Sequence, residues 1–254
     1  MKNHMISIRT ITEQNLKDFI RCPYKFYYEY IEKKKPPLDW RKVVQQVVHR
    51  IVYAYYQLPI EHRHATKVLE LIEQHWLKIS PQFFESKIQY YQVVAKVTDY
   101  LLQDLTEESN LDPPLLLFEK YKTHIQELDV DLALTFDVVN FSNSSFVVKK
   151  YVVQADQEML KLYYFLIQVF SEKVFQIRPT RVEVITLIDQ KKHIFRPTQE
   201  TLDEGISYLL LMKHFLEDSA IYSEIYNENE CPTCPFQNVC NREAPKLNQA
   251  KYLS

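Results

Sequence analysis

The chain has 254 residues, 46% of them hydrophobic, with 31 Lys plus Arg against 33 Asp plus Glu and a single glycine. Ordinary usage is about 7% glycine, so the glycine-lined cradles of dinucleotide and nucleoside-triphosphate sites are excluded, and tight turns fall to Asn, Asp, Ser or Pro. A formal charge of -2 means that any nucleic acid is held by a local basic surface rather than by the whole molecule.

No stretch approaches the roughly 18 apolar residues needed to cross a bilayer, and Met-Lys-Asn-His-Met-Ile-Ser is no secretory signal. The expectation is a cytoplasmic protein. From Thr12 to Ile31 apolar residues recur at three- and four-residue steps behind a Thr12 cap, giving a helix bent near Pro23. The run Lys33-Lys34-Lys35-Pro36-Pro37 then forms a basic loop. Amphipathic helices follow at Trp40 to Tyr56, Ala65 to Ile79 and Gln82 to Leu105, with no strand in the first hundred residues. After Asp112-Pro113-Pro114 the spacing turns to alternation, giving three strands at Leu115 to Ile125, Val130 to Phe141 and Phe146 to Val153. Helical spacing returns from Gln154 to Val174, strands follow at Arg181 to Ile188 and His193 to Phe195, and a last helix runs from Thr198 to Leu216. Lys191-Lys192-His193 reads as a plain hairpin.

All four cysteines can share one site: Cys22 in the first helix, then Cys231-Pro-Thr-Cys234 and Cys240 in the tail. A reducing compartment disfavours structural disulfides, so the thiolates point to metal, either zinc or an iron-sulfur cluster. One distant ligand plus a compact triple fits the cluster better than the two close pairs usual for zinc.

Phe19-Ile-Arg-Cys-Pro-Tyr-Lys-Phe-Tyr-Tyr28, taken with the distal Cys231-x-x-Cys234-x5-Cys240, resembles the iron-sulfur-containing RecB-type nucleases of the PD-(D/E)XK superfamily. Relatives include the AddB nuclease domain and CRISPR-associated single-strand exonucleases. The resemblance covers almost the whole chain. It implies one α/β domain over 1–254, with a restriction-endonuclease-like sheet flanked by helices. A mostly helical part would span 1–111, the nuclease-like core 112–217 and the Cys-rich tail 218–254. It also implies a 4Fe-4S cluster on Cys22, Cys231, Cys234 and Cys240 that staples the first helix to the tail.

The same resemblance implies a hydrolytic site, and here the chain departs from the pattern. His49 matches the helix His, with Gln45 where a glycine is usual; Asp137 matches the strand Asp; Glu119 matches a glutamate of the preceding strand. Lys150 matches the motif lysine, but Val148 occupies the position of the acid two residues before it. Met159 stands where a Gln should lie four residues before Tyr163, while Asp156 and Glu158 are nearby carboxylates. A Mg²⁺ or Mn²⁺ cage on His49 and Asp137 would therefore lack a carboxylate. The expected function is DNA binding or scaffolding, with hydrolysis lost or reduced. The alternatives are an active metal-dependent exonuclease that uses a displaced carboxylate, and a zinc-stapled interaction module. Tyr24, Lys25, Lys33, Lys34 and Lys35 combine cations with aromatic faces suited to single-stranded DNA. A helicase or nuclease is the expected protein partner.

Overall fold

The computed structural model describes residues 8–36, 38–107, 112–142 and 145–218, with Tyr222, Cys231, Cys234, Phe236, Gln237 and Cys240 beyond them. The first element is a short strand, β1 (Thr10–Thr12), which sequence periodicity does not reveal because three residues are too few to alternate. Thr12 then caps α1 (Glu13–Arg21) through a reciprocal pair of hydrogen bonds with Asn15. The long first helix expected from periodicity is broken at Cys22, whose extended backbone is what a residue before proline prefers. A four-residue α2 (Pro23–Phe26) and one π-helical turn (Tyr27–Ile31) continue the path.

Three helices form the next layer: α3 (Trp40–Gln57), α4 (Ala65–Trp76) and α5 (Lys87–Leu105). There follow β2 (Leu116–Ile125), β3 (Val130–Ser142), β4 (Ser145–Val152), α6 (Gln157–Phe175), β5 (Arg181–Thr186), β6 (Lys191–Phe195) and α7 (Gln199–Glu217). The strands build one mixed six-stranded sheet. β2 and β4 run antiparallel to β3, β5 runs parallel to β4, and β6 closes the edge antiparallel to β5.

Both faces of the sheet are covered. One apolar core joins α1, α2, α6 and α7 to residues such as Leu134, Phe136, Val148 and Val184. The other packs α3, α4 and α5 against Val138, Tyr151 and Ile185. The lone glycine serves no turn: a Cβ at Gly205 would meet Val169 Cγ2 at 3.0 Å, so it permits α7 to lie close on α6. Left-handed backbone instead falls on Lys33, Phe118, Asp129, Gln176 and Gln190. Of these, Asp129 alone belongs to the residue types expected to take the turns.

Register creates one opening in the sheet. β1 pairs with Asp131 to Ala133 of β3, whereas β4 pairs with Val138 to Ser142 on the same edge. Between them lie Leu134 to Asp137, flanked by β2 on the other edge but with no strand beside them on this one. Here the alternation of β3 also slips, for Phe136 joins the first core and Val138 the second. No described helix is long and apolar enough to cross a membrane.

Candidate active-site cleft

The gap in the sheet is filled by side chains. Asp137 is fully buried, and its Oδ1 accepts a hydrogen bond from Lys150 Nζ at 2.8 Å while its Oδ2 accepts from the Tyr151 N–H at 3.0 Å. Lys150 also donates to the Thr135 carbonyl at 3.0 Å and to Glu13 Oε2 at 2.9 Å. One ammonium thus satisfies an edge carbonyl and bridges two carboxylates. Burial alone would lower the Lys150 pKa, but Asp137 and Glu13 more than offset it and hold the lysine charged.

Gln45 occupies the rest of the gap from α3. Its Oε1 accepts from the Val153 N–H at 2.9 Å, which fixes the amide orientation because a backbone N–H can only donate. Its Nε2 then donates to the Tyr151 carbonyl at 2.7 Å and faces His49 Nε2, also at 2.7 Å. His49 Nε2 is therefore the acceptor, and the ring is neutral. Burial pushes the His49 pKa down, against the attraction of Asp137, whose Oδ2 lies 3.7 Å away.

The residues the sequence singled out divide into two groups. His49, Asp137 and Lys150 meet at the gap. Glu119 is exposed and faces a different groove, while Met159 is core. Asp156 is spent capping α6 through the Met159 N–H, and neither it nor Glu158 lines the cleft. Val148 is completely buried, paired with Val139. A carboxylate there would have to leave water for an apolar core, which is costly unless it is paired.

Glu13 is the member of the site that sequence reasoning missed. Its neighbours on one face of α1, Lys17 and Arg21, follow at four-residue steps, and that spacing was the available signal. All three line a cleft of about 520 Å³ with Lys42, Lys120 and Lys150; Arg41 and Glu29 also border it. The cleft is markedly more basic than the chain as a whole. Lys17 meets Glu13 Oε1 only at 3.9 Å, and its ammonium lies over the Tyr163 ring, as does that of Lys150. Burial lowers the Lys17 pKa.

Tyr24, Lys25, Lys33, Lys34 and Lys35 lie outside this cleft. Lys25 is nearly buried and acts electrostatically on Cys234. Lys34 pairs with Glu32 at 2.7 Å over the Tyr28 ring. Lys33 and Lys35 are exposed.

A divalent cation at this gap would have to share or displace contacts already made. Both Asp137 oxygens are engaged, the lone pair of His49 Nε2 faces Gln45, and Lys150 already supplies a positive charge between the carboxylates. Among the described residues, no three His, Cys, Asp or Glu side chains are grouped to hold a metal ion. No disulfide links Cys22, Cys231, Cys234 and Cys240. The tail returns to the N-terminal helical segment, with Phe236 5.3 Å from the Tyr28 ring, and Cys231 and Cys240 both act on Cys234.

The sheet is split beside a buried Asp-Lys pair, with helices on both faces. The chain belongs to the PD-(D/E)XK nuclease superfamily, whose family model matches residues 10–241. Among solved structures, a candidate exonuclease from Eubacterium rectale is similar at 10% identity with a TM-score of 0.48, covering 94% of this chain and 90% of the other. The crystal structure of SSO0001 is similar at 12% identity with a TM-score of 0.41, covering 94% and 89%. Family membership rests on the family model rather than on these likenesses. No curated protein matches the sequence.

Proposed function

We propose that this chain is a DNA-binding member of the superfamily, of the iron-sulfur RecB type, that keeps the strand-binding cleft without the hydrolytic centre. The observation that carries this reading is the closure of the ligand set: Lys150 and the Tyr151 amide take Asp137, and Gln45 takes His49. Gln45 stands where the resembled pattern has glycine and takes the lone pair of His49, while Val148 stands where the pattern has an acid and lies buried in the first core. Phosphodiester hydrolysis needs an open cation position to activate water and neutralise developing charge. A fixed ammonium gives charge without that position.

The basic cleft supports binding instead. Lys17, Arg21, Lys42 and Lys120 are placed to neutralise phosphates, and the exposed Lys33 and Lys35 follow Tyr30, which lines the cleft. The physiological role is DNA processing, of repair, recombination or defence type, beside an active helicase or nuclease partner. Cys22, Cys231, Cys234 and Cys240 would hold a 4Fe-4S cluster, which supplies a covalent tie between the first helix and the tail rather than chemistry on DNA.

The test is a gel shift with labelled single-stranded DNA. The protein should bind, and Lys17→Glu with Arg21→Glu should weaken binding and flatten its salt dependence. Absence of any shift at low salt would refute the DNA-binding reading.

A further inference from the structure

We infer that Phe118 and Tyr53 form a stacking platform for a base of the strand whose phosphates occupy the basic cleft. This rests on the DNA-binding reading and assigns the part of the surface that reads the other half of the nucleotide.

Phe118 lies mid-strand in β2 with φ 51, where a bulky residue is sterically disfavoured. Its register partner would be Asp137, yet pairing is interrupted between Leu117–Val138 and Glu119–Phe136. Such strain persists when the surroundings impose it, and it concentrates at functional positions. Its consequence here is where the ring goes. The Phe118 centroid is 5.0 Å from His49 and 6.2 Å from Tyr53, so three rings run outward from the site. Tyr53 is 47% exposed and Phe118 only partly buried, so both are open to a ligand.

A second groove of about 650 Å³ begins at these rings, bordered by Tyr53, Phe118 and Tyr121. β2 is the wall shared with the cleft: Lys120 faces the cleft, while Phe118 and Tyr121 border the groove. Cations beside accessible aromatic faces are the arrangement that holds a single strand, phosphates on the first and bases on the second. A duplex keeps its bases stacked on one another and offers no face to this platform.

The experiment is fluorescence anisotropy with a labelled oligothymidine, its abasic counterpart and a duplex of equal length. Phe118→Gly removes the ring at a backbone angle that glycine adopts freely, and Tyr53→Ala alters an exposed side chain, so both variants should fold. Each should bind oligothymidine about 5- to 150-fold more weakly, with an unchanged salt slope because no cation is lost. Wild-type protein should bind the abasic strand as weakly as the variants bind the intact one. Wild-type binding that is indifferent to both substitutions and to base removal, or that prefers the duplex, overturns the platform and leaves the DNA-binding reading intact. Absence of wild-type binding to every probe overturns both.

Discussion

Lys150 holds its ammonium 2.8 Å from Asp137 with both side chains sealed from solvent, one at 3% and the other at 0% exposure. Removing one partner of such a pair strands the other charge, at a cost of about 3–5 kcal/mol. Lys150→Met should therefore lower unfolding stability by about that amount in urea titration. Adding Asp137→Asn to it should cost less than the sum of the two single changes. Strict additivity would mean that the pair is not coupled as described.

Gln45 bridges the backbone of β4 from another layer, donating to Tyr151 O and accepting from Val153 N–H. Gln45→Ala leaves both groups to find other partners, each worth about 1–3 kcal/mol if buried and unsatisfied. A stability loss of about 2 kcal/mol or more is expected, with the Val153 amide exchanging faster by hydrogen exchange. Gln45→Gly should also release His49 Nε2 from the amide. Mn²⁺ should then raise the melting temperature of that variant and not of the wild type. Equal shifts in both proteins would show that the natural site already takes metal.

His49 has its pKa pushed below the ordinary imidazole value by burial. The unfolded chain therefore binds the proton more readily, and the His49 contribution to stability is present above about pH 6.5 and is lost as pH falls below it. His49→Gln should flatten the decline in stability between pH 7 and pH 5 relative to wild type. His75 and His193 are shifted the same way and remain in both proteins, so the difference isolates His49. Parallel pH profiles would place the proton sensitivity elsewhere.

Much of this architecture was legible because it is periodic. Alternation located β2 to β5 within a few residues, and three- and four-residue spacing located α3, α6 and α7. Where the chain gave no period it gave no sign: β1 has three residues, and the break at Cys22 interrupts an otherwise continuous apolar face. The site was half legible. His49, Asp137 and Lys150 match motif positions of the resembled family, whereas Glu13 reaches Lys150 across 137 positions and Gln45 reaches Tyr151 across 106. Such contacts are products of the fold. Gln45 was visible only as a missing glycine, and the structure turns that absence into a hydrogen-bonding part.

The proposed cluster joins Cys22 to a tail whose Phe236 already meets Tyr28. Cys22→Ser should lower iron content, the broad absorbance near 400 nm and the melting temperature together in anaerobically purified protein. Unchanged iron in that variant would remove Cys22 from the ligand set, and a colourless, zinc-loaded wild type would replace the cluster with zinc.

The most direct test is cleavage of labelled single- and double-stranded DNA by anaerobically purified protein with Mg²⁺ or Mn²⁺, beside Asp137→Ala and Glu13→Gln controls. The closed ligand set predicts intact DNA in every lane, with the single strand still bound. Cleavage that disappears in both controls would contradict it, and would make Glu13 the displaced carboxylate of an active nuclease.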